Sequence, residues 1–468
     1  MTNSEIASTH LDYLQSIHVI PHGQVYRKPM FGRYLIIAGL TTIVALKLYL
    51  LLFVIDPVVG VYGFLTSFIV FMAFFFAYTR YKDRSVLQVS RGLNVKYTEK
   101  PHLTNQYFLS VIVPAKNEPV IIRETVASFL ASSYKRIEII LVNDGSTDET
   151  GSVMDALARE NAGKVKAVHL EKNLGKRKAI REGVAHCSPE IDILVCADSD
   201  CVVDTHALEK VVGLFDDPDV GAATAHARAR NASQNILTKI QDAWYDGQFS
   251  IIKGMESAFD SVTCCSGTLS AFRKEAVMQC LDAWCNDKFL GVEFKPGDDR
   301  HLTAYVLGGN KHYLDKRSKI WKVRYCQSAI VQTEVPSSLR KLIMQQIRWK
   351  KSWIRMFLFT APFYYKERSP IIGAFYYLQT GLSFLMPIVA FRALIFLPLQ
   401  GYYIDALVYL SGLFFMGFLF GLEFKFRNRE LGSRWLCRIL MTIVSTFVLS
   451  FLMYYALLTI RKGSWLTR

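Results

Sequence analysis

The sequence predicts an α/β domain, built on a parallel sheet, fused to a region of membrane-spanning α-helices. Long, almost uncharged runs lie towards both ends of the 468-residue chain, and the stretch between them has the polarity of a globular domain. In that central stretch short β-branched runs alternate with helical patterns, as is typical of βα units. Acidic and glycine-containing motifs follow several predicted strands. Since open α/β sheets bind ligands at the carboxyl ends of their strands, a functional site is expected there.

Five apolar runs are long enough to cross a bilayer, for which about 20 residues are needed. None carries more than one charged residue, and such runs are rare in water-soluble cores, the alternative location. The runs cover residues 34–55, 58–78, 371–390, 403–422 and 437–460. The chain is therefore expected to be a multi-pass integral protein of the cell membrane, in contact with the lipid bilayer.

Basic residues, which give the chain a net charge of +15, concentrate beside the apolar runs. By the positive-inside rule they place both flanks of the central domain in the cytosol. They are Arg80, Lys82, Arg84 and Arg91 on one flank, and Arg340, Lys341, Arg348, Lys350, Lys351 and Arg355 on the other. No nucleic-acid-binding motif accompanies this charge, so nucleic acid is excluded as a partner. The nine cysteines show no C-x-x-C spacing and fit a reduced compartment without disulfides or zinc.

The patterns divide the chain into five parts. Residues 1–32 form a cytosolic or interfacial lead, 33–80 two transmembrane helices, 84–340 the cytosolic domain, 341–366 amphipathic interfacial helices and 370–468 a second membrane region. Five complete crossings would leave the basic C-terminal tail outside, against the positive-inside rule. We therefore expect a re-entrant C-terminal segment, or a different path around Arg392 and Pro398, and two to four crossings after residue 370.

The central domain begins with alternating strands and helices. Predicted strands cover 110–114, 137–142, 165–170 and 191–197, and predicted helices cover 118–132, 148–161 and 176–186. Pro114, Asn117 and Glu118 end the first strand, and Asp144 follows the second in an Asn-Asp-Gly-Ser phrase. Loop groups there can hydrogen-bond a nucleoside, although such a phrase alone is more often only a turn.

Two further motifs could hold a diphosphate. Lys176 and Arg177 follow Gly175 at a predicted helix N-terminus, which suits phosphate unless the segment is only a solvated turn. Asp198 and Asp200 follow a buried strand, and a hard cation would remove the cost of two carboxylates there. The sequence therefore predicts a Mg²⁺ or Mn²⁺ site.

Two motifs near the second membrane region could carry out the reaction. Asp298 and Asp299 precede a helical pattern and offer a general base, or else only acidic first-turn residues. Gln345, Arg348 and Trp349 form a Gln-x-x-Arg-Trp box in a basic amphipathic stretch. The box could supply a cation and a sugar-stacking ring, or only anchor an interfacial helix.

In their order along the chain and in their residues, these motifs resemble those of the processive family 2 glycosyltransferases, which include hyaluronan, chitin and cellulose synthases. The resemblance covers about residues 105–360 and extends to the terminal phrase at 459–468; within the family the chain resembles the bacterial-type hyaluronan synthases. The matching phrases are 142–149, 173–177, 198–200, 297–300 and 345–352. The resemblance implies a Rossmann-like GT-A domain with a cytosolic active site, UDP-sugar substrates and a membrane pore for the growing polysaccharide.

The resemblance also implies roles for individual residues. Asp144 would contact uridine, Lys176 the nucleotide, Asp198 and Asp200 the metal, and Asp299 would be the base with Asp298 beside it. Arg348 would bind the diphosphate and Trp349 the acceptor, with Cys264 and Cys265 next to it. These are expectations carried over from the motifs, residue by residue.

The product is expected to be hyaluronan, made from UDP-GlcNAc and UDP-GlcA. Thr268 stands where hyaluronan synthases usually have proline, which leaves the sugar open. A chitin or chitooligosaccharide synthase using UDP-GlcNAc alone is the second reading, and a lipid-linked monosaccharide transferase the third. From another class, a non-catalytic membrane scaffold with a degenerate domain is the distant alternative. The sequence leaves a monomer and a homo-oligomer equally open.

Overall fold

The computed structural model describes residues 30–84, 86–91, 94–99 and 106–461. Nearly all of the predicted lead at 1–32, and the part of the terminal phrase at 462–468, lie outside the described residues.

An eight-stranded sheet forms the centre of the α/β domain, with strand order β5-β4-β3-β6-β9-β8-β12-β7. Two short hairpins, β1–β2 and β10–β11, stand apart from it. The strands are β1 (Val86–Arg91), β2 (Asn94–Glu99), β3 (Leu109–Ala115), β4 (Ile137–Asn143), β5 (Val165–His169), β6 (Ile193–Cys196), β7 (Val202–Val203), β8 (Val220–Ala229), β9 (Ser270–Arg273), β10 (Lys288–Phe289), β11 (Val292–Glu293) and β12 (Lys322–Thr333).

The α-helices surround this sheet and continue into the apolar regions. They are α1 (Met30–Phe53), α2 (Pro57–Thr79), α3 (Ile121–Leu130), α4 (Thr150–Glu160), α5 (Lys176–Ala185), α6 (Ala207–Val212), α7 (Ile236–Gly247), α8 (Gly254–Ala258), α9 (Lys274–Met278), α10 (Leu281–Cys285), α11 (Asp298–Ala304), α12 (Leu339–Glu367), α13 (Pro370–Phe391), α14 (Leu397–Leu399), α15 (Tyr403–Arg427), α16 (Cys437–Val444) and α17 (Leu452–Leu458). Wider π-helical turns connect several of them, for example at Gln248–Lys253 and Ser445–Leu449.

The predicted strands and helices of the first half of the domain are present, with small shifts at their ends. Strands β3 and β4 are buried at every position. Helices cover both faces of such strands, so their sequences are continuously apolar and do not alternate. β5, β4, β3 and β6 run parallel and bring their carboxyl ends to one edge.

The predicted parallel order does not hold for every strand of the second half, although β12 pairs parallel with β8. Strand β9 pairs antiparallel with both β6 and β8, and β7 pairs antiparallel with β12. The sheet is therefore mixed. No local sequence pattern predicts the mixed sheet, because β9 has only four residues and its direction depends on partners distant in sequence.

All five predicted apolar runs form helices. The described residues contain five helical segments that are long and apolar enough to cross a membrane: Phe31–Phe53, Pro57–Thr79, Pro370–Leu399, Tyr403–Arg427 and Glu430–Leu458. The predicted interfacial segment is one helix, α12, which Ser338 caps by accepting a hydrogen bond from the Lys341 backbone N–H.

Polar contacts mark the two ends of helix α15. At its start the Asp405 carboxylate accepts the backbone N–H of Asp56, whose own carboxylate binds Arg392 through two hydrogen bonds. At its end Arg427 and Asn428 reach Asp246 of α7. Helix α15 therefore runs from the end of the helical region remote from the α/β domain back to the domain itself.

Candidate active site

The carboxyl edge of the sheet opens into a cavity of about 1340 Å³, bounded on the opposite side by α12 and α13. With the exception of Cys265, every residue predicted for the site lines it. These residues are Pro114, Asn117, Glu118, Asp144, Lys176, Arg177, Asp198, Asp200, Cys264, Asp298, Asp299, Gln345, Arg348 and Trp349. Segments far apart in sequence thus meet around one volume, larger than the 300–1,000 Å³ typical of a small-molecule pocket.

The Asp144 carboxylate holds the loop that leads into α5. It accepts hydrogen bonds from the backbone N–H groups of Leu174 (2.7 Å) and Gly175 (3.1 Å). The turn that follows β4 needs a glycine at position 145. Gly145 has φ of 63° and lies against the backbone of Asn173, where a Cβ would not fit. In this way two loops of the predicted nucleotide side are joined.

Asn117 and Glu118 brace the same strand-end loops. Asn117 has φ of 56°, donates its backbone N–H to the Ser146 hydroxyl and accepts the backbone N–H of Thr147. The Glu118 carboxylate accepts a hydrogen bond from the Ser199 hydroxyl, beside the Asp198–Asp200 turn. Both side chains therefore also fix the shape of the cavity wall.

Lys176 connects two of the predicted acidic motifs. Its ammonium group forms an ion pair with Asp198 and a second one with Asp298, at 3.2 Å. Although burial by itself would lower the pKa of Lys176, the two carboxylates hold it well above its ordinary value. Burial would raise the pKa of Asp298, but Lys176, Arg177 and Arg348 hold it below its ordinary value. Lys176 and Asp298 are thus a charged pair at neutral pH.

Asp200 has a different environment from Asp198. Its carboxylate accepts a hydrogen bond from the Thr333 hydroxyl (3.3 Å), and burial together with the neighbouring Asp198 raises its pKa to about 7. A divalent cation would offset this cost of ionisation. No group of three or more acidic, histidine or cysteine side chains suited to a metal occurs in the described part of the chain. Two carboxylates fit Mg²⁺, which typically adds substrate phosphates to one or two protein carboxylates.

Asp299 lies in the first turn of α11 and faces three donors. Its Oδ2 accepts the Gly267 backbone N–H (3.1 Å) and lies 3.6 Å from the Cys264 Sγ; its Oδ1 accepts the Arg300 backbone N–H (2.7 Å). Burial raises the pKa of the Cys264 thiol to about 11, so the thiol stays a donor at neutral pH. These contacts fix the orientation of the carboxylate at the cavity.

Gly297 brings α11 against α12. It has φ of 72°, and a Cβ at this position would overlap the Ser352 side chain. Ser352 lies one turn after Arg348 and Trp349, so the acidic motif contacts α12 one turn beyond the Gln-x-x-Arg-Trp box. Only glycine permits both the backbone conformation and the close approach.

Three aromatic rings form one wall of the cavity. The Trp349 ring lies 6.2 Å from that of Trp244 and 6.1 Å from that of Tyr245, both on α7. Trp244 and Tyr245 were not among the residues predicted from the sequence. Their only local signal is an aromatic pair in a helical pattern, which is usually a core feature.

Cys265 and Arg177 are placed differently from the other predicted residues. Cys265 is fully buried behind the cavity wall, where its backbone N–H donates to the Thr303 hydroxyl. Arg177 borders the cavity, but its guanidinium donates to the carbonyl oxygens of Trp284 and Pro296. Both placements favour a structural role.

Known proteins are similar to this chain over the region that carries most of these site residues. The family model described as glycosyl transferase family 2 matches residues 110–281. An N-acetylglucosaminyltransferase of Rhizobium leguminosarum bv. viciae is 30% identical over 398 residues, which cover 83% of this chain and 88% of that protein. This chain belongs to glycosyltransferase family 2. The resemblance stated from the motifs is thereby confirmed, as is the prediction of a glycosyltransferase.

Other similar proteins extend the comparison to most of this family 2 chain. A hyaluronan synthase of Streptococcus pyogenes is 29% identical over 449 residues, covering 94% of this chain and 98% of that one. The structure of a mannosyltransferase from Pyrobaculum calidifontis, in complex with GDP-Man and Mn²⁺, matches with a TM-score of 0.51 at 16% identity, covering 88% and 99% of the two chains. The predicted GT-A fold with an attached helical region is confirmed, and the enzyme is a membrane protein.

Proposed function

We propose that this enzyme is an inverting, processive polysaccharide synthase, which transfers sugars from UDP-sugars to a growing β-linked polymer and exports it, with hyaluronan as the product. The observation that carries the proposal is the meeting of Asp200, Asp299 and Arg348 around one cavity against the apolar helices. A metal-binding acid, a base and a cation for the leaving group are the parts that such a transfer needs.

In the proposed reaction Asp299 removes the proton from the acceptor hydroxyl, which attacks the anomeric carbon from the face opposite UDP. An α-linked donor then gives a β-linkage. Arg348 and Lys176 meet the negative charge that develops on the departing diphosphate. Pre-placed opposite charge of this kind is usually the largest contribution to catalysis. The aromatic wall around Trp349 would stack against the acceptor sugar.

Asp198 and Asp200 are the residues that would hold Mg²⁺ or Mn²⁺. When bound, the cation would neutralise charge on the diphosphate. The raised pKa of Asp200 and the two-carboxylate donor set support this assignment. The mannosyltransferase of similar fold is described in complex with Mn²⁺.

Export is supported by a polar stripe on the apolar helix α13. Tyr376, Gln379, Thr380 and Ser383 recur at helical spacing and line the same cavity as the proposed catalytic residues. Polar side chains on a membrane helix commonly face a water-filled path and seldom face lipid. The stripe would give the polymer hydroxyls hydrogen-bonding partners at the entrance of the path.

We further propose four crossings, with the α/β domain and both termini on the cytosolic side. The last apolar segment starts with Cys437 and Met441 packed near Ile240 of α7, and it ends with Met453 and Ile460 packed against α12. Both of its ends therefore lie beside the α/β domain, as in a re-entrant or interfacial segment. This arrangement supports the predicted division at residues 33–80, 84–340, 341–366 and 370–468.

The relatives support two products. The hyaluronan synthase of Streptococcus pyogenes matches over 94% of the chain, which favours hyaluronan. The N-acetylglucosaminyltransferases of Rhizobium leguminosarum and Azorhizobium caulinodans are 30% and 31% identical over shorter stretches, which keeps a chitooligosaccharide synthase as the second candidate.

A paired-sugar assay tests the proposal. Purified enzyme in lipid nanodiscs receives Mn²⁺ or Mg²⁺ with UDP-GlcNAc, UDP-GlcA or both, and UDP release and polymer length are measured. We expect sustained release only with both sugars. Sustained release with UDP-GlcNAc alone would establish the second candidate. Transfer of a single sugar without elongation would overturn the synthase proposal.

A further inference from the structure

Behind the cavity, Asp287 lies in the short connection between α10 and β10, and three basic side chains surround it. Its carboxylate accepts a hydrogen bond from Arg355 (2.8 Å), and lies 3.8 Å from the Arg177 guanidinium and 3.5 Å from His301 Nδ1. Asp287, Arg177 and Arg355 are each about 90% buried at their side chains, and that of His301 is completely buried.

Each of the three basic residues belongs to an element that carries a proposed catalytic group. Arg177 follows Lys176 on α5, and His301 stands two positions after Asp299 on α11. Arg355 lies seven positions, about two turns, after Arg348 on α12. Asp287 itself lines no part of the cavity. It can therefore influence the reaction only indirectly, through neighbouring elements such as these three.

Further contacts make the connection continuous. Arg177 donates to the carbonyl oxygen of Trp284, and the Trp284 indole N–H donates to the carbonyl oxygen of Asp298 (3.0 Å). Asp287 Oδ2, His301 Nδ1 and the Nε atoms of Arg177 and Arg355 are buried without a hydrogen-bond partner among the described residues. Asp287 is thus the carboxylate that contacts all three of these basic side chains.

The charge balance depends on Asp287. Burial first, and then the nearby Arg177 and Arg355, hold the pKa of His301 well below its ordinary value, so His301 is neutral. Arg177 also lies near Asp298, which is paired with Lys176. Arg355, by contrast, has Asp287 as its hydrogen-bonded carboxylate. Removing the charge of Asp287 would leave Arg355 without its carboxylate partner beside the Arg177 cation in a poorly solvated space, and α5 and α12 would move apart.

We propose that Asp287 is a positioning residue for glycosyl transfer, which holds α5 and α12 in register through Arg177 and Arg355, with the neutral His301 of α11 packed beside it. Arg177 then acts as a structural cation and not as a nucleotide ligand. The inference rests on the proposed function of the cavity but adds a residue to it that touches no substrate. A shift of about 1 Å between reacting groups can lower a rate by about 100-fold.

The test compares Asp287→Asn with Asp282→Asn, a matched control five residues earlier whose side chain is 77% exposed and pairs with Arg181. UDP release is measured with the nucleotide sugars that the wild type turns over, and is normalised to UDP-binding sites counted by calorimetry. A wild type without turnover would disprove the proposed function and not the positioning role. Asp287→Asn should lower kcat per site at least ~10-fold while KM changes less than ~3-fold, because the reacting groups are misplaced but remain present; Asp282→Asn should match the wild type.

Two further variants separate positioning from simple stabilisation. If Asp287 acts through Arg355, the losses of activity should not add. The double variant Asp287→Asn/Arg355→Met should then lose no more activity than the less active of the two single variants, Asp287→Asn and Arg355→Met. Where Asp287→Asn does not fold, Asp287→Glu keeps the charge and displaces it by one methylene, and should show an intermediate loss of kcat. A kcat per site within ~2-fold of the wild type, in Asp287→Asn or in its substitute Asp287→Glu, would overturn the proposal, as would fully additive losses in the double variant.

Discussion

Asp298 and Asp299 are neighbours in sequence, yet the structure gives them different environments. Asp298 forms an ion pair with Lys176, whereas Asp299 accepts hydrogen bonds from the backbone N–H groups of Gly267 and Arg300. A carboxylate engaged by a lysine is a poor proton acceptor because the cation stabilises its ionised form. The contacts therefore favour Asp299 as the base and Asp298 as the residue that holds Lys176.

We expect Asp299→Asn to abolish transfer with little change in nucleotide binding. The amide keeps the size of the side chain but cannot accept the acceptor's proton, and loss of a general base typically costs ~10²–10⁴-fold in rate. UDP release and calorimetric UDP affinity should be measured on the same preparation. Normal turnover in this variant would refute the assignment of the base.

We expect Asp200→Ala to weaken UDP binding only where that binding depends on metal. The variant removes one of two carboxylates available to Mg²⁺ or Mn²⁺, so UDP affinity with Mn²⁺ should fall towards the value that the wild type shows with EDTA. Calorimetric titrations with and without Mn²⁺ measure both affinities. An unchanged difference between the two conditions would count against a metal role for Asp200.

At the scale of elements, the contact of α11 with α12 sets the distance between the proposed base and Arg348. Gly297 allows this contact because it has φ of 72° and no side chain against Ser352.

Helix α7 connects the aromatic wall of the cavity with the strand β8 and the apolar region. One face carries Trp244 and Tyr245, and the other carries Asp242 and Asp246, which bind arginines of the strand β8 and the apolar region.

We expect Gly297→Ala to lower both stability and turnover. A left-handed backbone costs a non-glycine residue about 1–2 kcal/mol, and the new Cβ overlaps the Ser352 side chain. The double variant Gly297→Ala/Ser352→Gly removes the overlap but keeps the backbone cost, so it should recover part of the turnover. Thermal unfolding and UDP release would be measured on both. No recovery in the double variant would contradict steric overlap as the cause.

We expect Asp246→Asn to destabilise the protein by about 1–3 kcal/mol, because the buried partner of Arg228 and Arg427 loses its charge while Asp242 and Glu423 still pair with these arginines. Burial would raise the pKa of Asp246, but Arg427, His226 and Arg228 hold it below its ordinary value. The carboxylate therefore stabilises the fold at neutral pH, and this contribution is lost only as strong acid protonates it. Chemical unfolding against the exposed control Asp155→Asn measures the effect; equal stabilities would contradict it.

At the scale of the whole molecule, the apolar helices and the GT-A domain form one continuous structure. Arg427 and Asn428 fasten the end of α15 to Asp246, and the last apolar segment packs against α7 and α12. The proposed acceptor wall on α7 and the polar stripe on α13 therefore lie on elements that the membrane region holds in place. Transfer and export would share one rigid frame.

We expect epitope tags to report four crossings. A tag after Arg468 should react only when the cytosolic face is open, and a tag inserted at Gly401, between α14 and α15, should react from outside. Antibody binding to intact and permeabilised cells that retain UDP-sugar turnover measures both. Reaction of the C-terminal tag from outside would show that the last segment crosses completely.

The sequence by itself determined the first strands and helices, the five apolar helices and most of the cavity-lining motifs. These features depend on local periodicity, on continuous hydrophobicity and on the rule that the ends of parallel strands meet at one edge. The strands and helices to which the rule applies can be recognised from residues that are neighbours in sequence. The two glycines that the site needs, Gly145 and Gly297, also lie within recognisable sequence motifs.

Only the tertiary structure decided the antiparallel placement of β7 and β9, the inward turn of Arg177 onto Asp287, the aromatic pair on α7 and the packing of the last apolar segment against α7 and α12. Each depends on pairing between segments far apart in the chain, and local pattern does not encode the partner. The direction of β9 and the charge that Asp287 offsets arise only when these distant surfaces are buried together, because an ion pair or strand pairing is favourable only with its partner in place.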